Sequence, residues 1–179
     1  FIYRSTDGGK TFTQVHTSPQ MGATRRSMCQ TANGDIFVAD YSTTSGTYTS
    51  ILHRSDDDGA TWSTARQWTN SGDGSSNDFR HIHFVVADPF VTNRIWLGVG
   101  DGAILASQSN IGYSDDRGAN FTWLSSTPGQ TFRSVDLLFT SDALWWGMDA
   151  PAEAQKIIRY DRTTGQITTF LDNAVGSLY

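Results

Sequence analysis

Three arginines, Arg26, Arg80 and Arg133, recur at spacings of 54 and 53 residues, and Asp40, Asp101 and Asp149 follow them in turn. The planar fork of arginine can bond a carboxylate through two parallel N–H groups. Paired carboxylates can protonate and attack a glycosidic bond. Asp136 lies among apolar neighbours in Val135-Asp136-Leu137, where desolvation can raise a carboxyl pKa and suit it to general-acid work. The simpler reading is an aspartate solvated by channel water. His81 and His83 stand two apart, which on a strand puts both rings on one side. Such a pair can ligate a metal or exchange protons. No third or fourth ligand stands nearby in the chain, so the pair reads as polar lining, with no metal or cofactor expected. Tyr41 follows Asp40, and of the consecutive Trp145 and Trp146 one faces a core while the other can stack on a sugar. Trp146 is the candidate for that platform.

What elements could gather these groups? Of 18 acidic residues all but Glu153 are Asp, and of 13 basic residues all but Lys10 and Lys156 are Arg. Helix-favouring Glu and Lys are thus scarce while turn-forming Asp and Gly abound, which argues for strands and turns. A net charge of −5 and the absence of a basic cluster argue against a nucleic-acid binder. No apolar run approaches the roughly 20 residues that a membrane-spanning helix needs. The single cysteine, Cys29, excludes an intrachain disulfide.

One eight-residue pattern occurs three times: Ser5-Thr-Asp-Gly-Gly-Lys-Thr-Phe12, Ser55-Asp-Asp-Asp-Gly-Ala-Thr-Trp62 and Ser114-Asp-Asp-Arg-Gly-Ala-Asn-Phe121. A degenerate fourth copy lies at Arg159 to Gly165. Each copy sits between strand-like runs. Ser and Asp side chains can bond the N–H groups that a tight turn leaves unpaired, Gly supplies a positive φ, and the closing aromatic returns to a core. A calcium loop of the EF-hand kind fails here, because Ala60 and Gln67 fall where oxygen ligands are needed. The pattern Ser-x-Asp-x-Gly-x-Thr-(Trp/Phe) resembles the Asp-box, or bacterial neuraminidase repeat, of sialidase-like β-propellers.

Around each box the chain repeats a unit of four strands, with the box at the turn between the third and fourth. Units of about 40–50 residues have the size of propeller blades. The fold expected is therefore all-β: a β-propeller of four-stranded antiparallel blades, seen as an incomplete set of roughly three and a half. The parse is a half blade at 1–18 and blades at about 20–70, 76–127 and 129–173. Because Phe1-Ile2-Tyr3-Arg4 already reads as a strand, further blades are expected from the rest of a longer chain or from partner chains. Strand reversal puts the starts of first strands and the ends of second strands on one face. Arg26, Arg80, Arg133, Asp40, Asp101 and Asp149 should then share a mouth, as ligands or as mutually neutralising ion pairs.

The resemblance implies an active or binding site for glycans at that mouth, with arginines on a substrate carboxylate and Asp40, Asp101, Asp136 and Asp149 as candidate catalytic groups. Arg26, Arg80, Arg133, His81, His83, Tyr41 and Trp146 are the candidate substrate-binding residues. The Phe/Tyr-Arg-Ile-Pro motif of sialidases is absent, and Glu153 lies in a loop-like stretch ill suited to activating a nucleophile. The expected function is that of a sialidase-like propeller acting on or binding a glycan or acidic saccharide at the central mouth, with glycoside hydrolysis as the leading reading. The alternative is a non-catalytic glycan- or protein-binding scaffold, such as an extracellular assembly subunit. Low Lys with abundant Asp, Ser and Thr suits a secreted, extracellular or periplasmic location.

Overall fold

The computed structural model describes residues 1–18, 26–41, 48–70, 79–101, 108–149 and 154–174. These residues form antiparallel sheets and no α-helix. The first sheet pairs β1 (Ile2–Arg4) with β2 (Thr13–His16). The second runs β3 (Met28–Gln30), β4 (Ile36–Ala39), β5 (Tyr48–Ser55) and β6 (Ser63–Asn70). The third runs β7 (His81–Ala87), β8 (Ile95–Gly100), β9 (Asn110–Ser114) and β10 (Thr122–Trp123). After a 3-10 turn at Gln130–Phe132, the fourth runs β11 (Leu138–Phe139), β12 (Ala143–Gly147), β13 (Gln155–Asp161) and β14 (Ile167–Ala174). Each four-stranded sheet is a meander in chain order, as short hairpin connections dictate.

The third sheet lies between the second and fourth. On one side Ile82, Val85, Leu97 and Val99 pack with Phe37 and Leu52. On the other, Phe84, Val86, Trp96 and Ile111 pack with Leu144, Trp146 and Ile158. Burial on both faces is why β7 and β8 read as continuous apolar runs rather than alternating ones. A β-bulge between Ile82 and Phe84 shifts the register of β7 against β8. In a regular strand Ile82 and Phe84, two apart, would share a face; the bulge sends them into different cores. Gly98 makes room: a Cβ there would lie 2.1 Å from Phe84 Cε1.

The three boxes are stapled turns. Ser55 Oγ accepts from the Gly59 N–H at 2.9 Å, while the Asp57 carboxylate takes the Thr61 N–H at 2.8 Å and its hydroxyl at 2.7 Å. Ser5 and Asp7 bind Gly9 and Thr11 alike, and Ser114 and Asp116 bind Gly118 and Asn120. Each turn needs two residues at positive φ, not one: Gly8 and Gly9, Asp58 and Gly59, Arg117 and Gly118. Phe121 packs on Trp68 of the preceding sheet and on Trp123, whereas Phe12, in the first sheet, is exposed. In the degenerate fourth turn Asp161 alone accepts the Thr163 and Thr164 N–H groups.

These turns also lock neighbouring sheets together. Arg117, in the β9–β10 turn, forks onto Asp35 of the β3–β4 turn at 2.7 and 2.6 Å. Arg162, in the β13–β14 turn, reaches Asp88 between β7 and β8 through one nitrogen, Nη2, which lies 2.9 and 3.0 Å from the two carboxylate oxygens. The third and fourth sheets thus each return an arginine to the sheet before.

One expected strand is missing. Residues 133–137, read as the opening of a first strand, are irregular, and β11 keeps only two residues. Ser134 Oγ donates to the Asp136 carbonyl at 2.8 Å, and Asp136 Oδ1 accepts its neighbour Leu137 N–H at 2.8 Å. Such local bonds offer the backbone an alternative to a ladder.

Candidate functional site

At one end of the three larger sheets, side chains from all three converge. Tyr41 follows β4, Arg80 and His81 open β7, Asp101 follows β8, and Arg133 and Asp149 flank the fourth sheet. The Tyr41 ring stacks on His81 with centroids 3.8 Å apart. His81 Nε2 lies 3.0 Å from Asp101 Oδ2, and Arg133 reaches Asp101 Oδ1 at 2.9 Å. Arg133 also comes within 3.9 Å of Asp149, whose N–H donates to the Arg133 carbonyl at 2.8 Å. Arg80 is fixed through its backbone: its N–H donates to Gly100, and its carbonyl accepts from Ser50 Oγ.

His83 sits in the bulge of β7, with its ring 5.1 Å from that of His81. Its Nδ1 lies 2.9 Å from the Ser134 carbonyl, which can only accept, so the proton is on Nδ1. Nε2 therefore turns toward Asp101 Oδ2, 3.8 Å away. Together His81, His83 and Asp101 offer three ligand atoms within 4.8 Å of one another. Asp101 adopts a left-handed φ of 56°, which is uncommon outside glycine and aims its carboxylate back over β7.

Electrostatics follow from this packing. Burial opposes ionisation of Asp101, but the two histidine rings and Arg133 outweigh it and hold the carboxyl well below the usual range. A general acid at neutral pH is therefore not what this group is tuned for. Burial, reinforced by the Asp101 charge, pushes the Tyr41 hydroxyl up.

The other candidates lie elsewhere. Asp40 is fully buried, bonded to Ser18 Oγ at 2.8 Å and His53 Nε2 at 3.2 Å. His53 in turn meets His16 at 3.1 Å, and burial beside His53 lowers the His16 pKa. Arg26 pairs with Asp136 at 2.9 Å in an exposed contact. That pair borders a cleft of about 510 Å³ lined by Leu137, Leu138, Trp145 and Trp146. Trp146 is the core partner of the tandem: it is 3% exposed, and its Nε1 donates to the Thr131 carbonyl. Trp145 is the half-buried one, with Arg159 over its ring. Glu153 lies outside the described residues.

The third partner of the His81–His83 pair escaped the sequence because it was sought along the chain rather than across it. His81 pairs in register with Gly100, so the residue after Gly100 must stand beside it. Comparison with models of known protein families and with curated proteins finds no match to this chain.

Proposed function

We propose that this chain is part of an Asp-box β-propeller that binds an acidic saccharide at the rim built by Tyr41, Arg80, His81, Asp101, Arg133 and Asp149. The observation that carries the reading is the convergence, from three successive sheets, of two guanidiniums and a half-buried aromatic hydroxyl at one end. Arginine forks suit a carboxylate, and a tyrosine presents both a flat apolar face and a polar tip. The propeller reading is supported by face-to-face stacking of the sheets and by the arginine lock that recurs from the third sheet to the second and from the fourth to the third. Further blades would come from additional chain or from partner chains. The composition supports an exported protein, and fractionation of the native cells would test this: the protein recovered only from the cytosol would sink it.

The test is saturation-transfer NMR with sialylated and uronate oligosaccharides and their neutral counterparts. Binding of the acidic forms alone, lost in Arg133→Gln and in Arg80→Gln, is expected. Equal signals from neutral sugars would overturn the reading.

A second reading, glycoside hydrolysis, is favoured by one feature: Asp101 and Asp149 both approach the same Arg133 guanidinium, which makes a carboxylate pair at the rim. Asp40 is too deeply buried to take part, and Asp136 belongs to the separate cleft. Turnover of an acidic glycan that stops in Asp149→Asn while binding persists would establish hydrolysis. Binding without turnover leaves the scaffold role.

A further inference from the structure

The bulge of β7, Gly100 and Asp101 bring two imidazoles and a carboxylate together. His83 carries a proton on Nδ1, where the Ser134 carbonyl holds it, and its Nε2 faces Asp101 Oδ2 across 3.8 Å. Positive charge belongs between those two atoms, and either a second proton on Nε2 or a bound cation supplies it. A carbonyl on the far nitrogen is also the outer contact that orients metal-ligating histidines. His81 Nε2 completes the trio at 3.0 Å from the same carboxylate oxygen.

The spacing suits a small ion. Bonds of about 2.0–2.1 Å in a tetrahedral site put neighbouring ligand atoms about 3.3 Å apart. The 3.0 and 3.8 Å separations from Asp101 Oδ2 bracket that value, and the two histidine nitrogens lie within 4.8 Å of each other. Arg133 engages the other oxygen, Oδ1, which leaves Oδ2 to a single ion.

Two further observations point to the same place. A Cβ on Gly100 would lie 2.5 Å from His83 Cε1 and 2.9 Å from both His83 Nε2 and Ser109 Oγ. The glycine is what lets the ring and the hydroxyl crowd together. Ser109 is fully buried, yet its Oγ has no hydrogen-bond partner among the described residues. A buried hydroxyl without a partner is costly unless a ligand or bound water uses it.

We infer that His81, His83 and Asp101 bind one divalent transition-metal ion, with Ser109 Oγ facing the ion or its bound water. Two imidazoles and one carboxylate favour zinc, cobalt, iron or nickel over magnesium or calcium, which prefer oxygen ligands. Three protein ligands leave a position open for water or for an oxygen of a bound molecule. The inference rests on the ligand set alone and is independent of the glycan reading.

The full chain, stripped with chelator and dialysed, is titrated with zinc by calorimetry and with cobalt by visible absorption. One zinc per chain is expected, and cobalt should give the intense visible bands of four- or five-coordinate nitrogen and oxygen ligation. His83→Gln and Asp101→Asn should each weaken zinc binding by at least about 100-fold, the upper end of what loss of an outer contact alone produces. His16→Gln, remote from the pocket, should bind as the parent does. Circular dichroism confirms that each variant is folded. Because the cobalt spectrum of the parent chain needs no variant, it decides the matter by itself. The weak spectrum of hydrated cobalt, or undiminished zinc binding in folded His83→Gln, would overturn the inference and leave a proton on His83 Nε2 as the missing charge.

Discussion

The Asp57 carboxylate takes three hydrogen bonds from its own turn, those of the Thr61 N–H and hydroxyl and the Ser55 hydroxyl. Led by the Thr61 amide, these bonds hold its pKa down at about 2. Its contribution to stability is therefore complete above the unfolded value near 4 and is lost as pH falls toward about 2. An acid titration followed by NMR should show the Thr61 amide shift turning over near pH 2, whereas an unperturbed carboxylate would turn it over near 4. The same turn offers a backbone test. Gly59→Ala puts a Cβ at a φ of 79° and should cost about 1 kcal/mol by urea denaturation, although the Cβ itself would make only ordinary contacts with Trp62, Arg4 and Ile36. Asp58→Gly, at the neighbouring left-handed position, should shift stability by less than half of that. The stapling roles of Ser, Asp and Gly were legible in the sequence because they act within five residues. That Asp58 and Arg117 would also adopt positive φ was not, since their side chains do not demand it. Likewise the ring of His83 could be placed beside His81 from spacing alone, but not the bulge that carries it.

At the scale of elements, the arginine–aspartate pairs differ sharply in burial, and that difference sets their weight. The Asp88 carboxylate is fully buried, takes Arg162 Nη2 on both oxygens, and also accepts from Trp96 Nε1 and the Phe90 N–H. Asp88→Asn would leave the Arg162 guanidinium buried without its counter-charge and should cost about 3 kcal/mol. Arg26→Gln, which breaks a pair whose side chains are 52% and 42% exposed, should cost less than about 1 kcal/mol. Urea midpoints measured side by side would separate the two. The second strands, with their closing aspartates, were plain in the sequence because β4, β8 and β12 are apolar runs with a polar end. The first strand of the fourth sheet was not, because Ser134 and Asp136 spend their side chains on the local backbone. The six residues expected to share one mouth divide for a related reason. Asp101, Asp149, Arg80 and Arg133 meet there, but Asp40 finds Ser18 and His53 inside the protein, and Arg26 crosses to Asp136. Such long-range partners leave no periodic trace.

Across the whole molecule, the large exposed apolar side chains fall mainly on the outer sheets: Phe1, Tyr3, Phe12 and Met28 in the first two, Leu138, Phe170 and Leu171 in the fourth. Among the described residues the third sheet, covered on both sides, exposes only one large apolar side chain, Phe90, in a loop. Uncovered apolar faces drive association, so the chain alone should self-associate with rising concentration. Replacing Leu138 and Phe170 by serine together should reduce this, as read by sedimentation velocity. Equal association in the double variant would move the sticky surface elsewhere.

The arginine locks also give the array a direction. The third and fourth sheets each point a guanidinium backward, Arg117 to Asp35 and Arg162 to Asp88. In the fourth sheet the counterpart of Asp35 is Asp142, placed just before β12 as Asp35 is placed just before β4. It is held by Arg159 and Thr140 of its own sheet, and its side chain remains 70% exposed. A further sheet docking on this side with an arginine in its own last turn would find a carboxylate there.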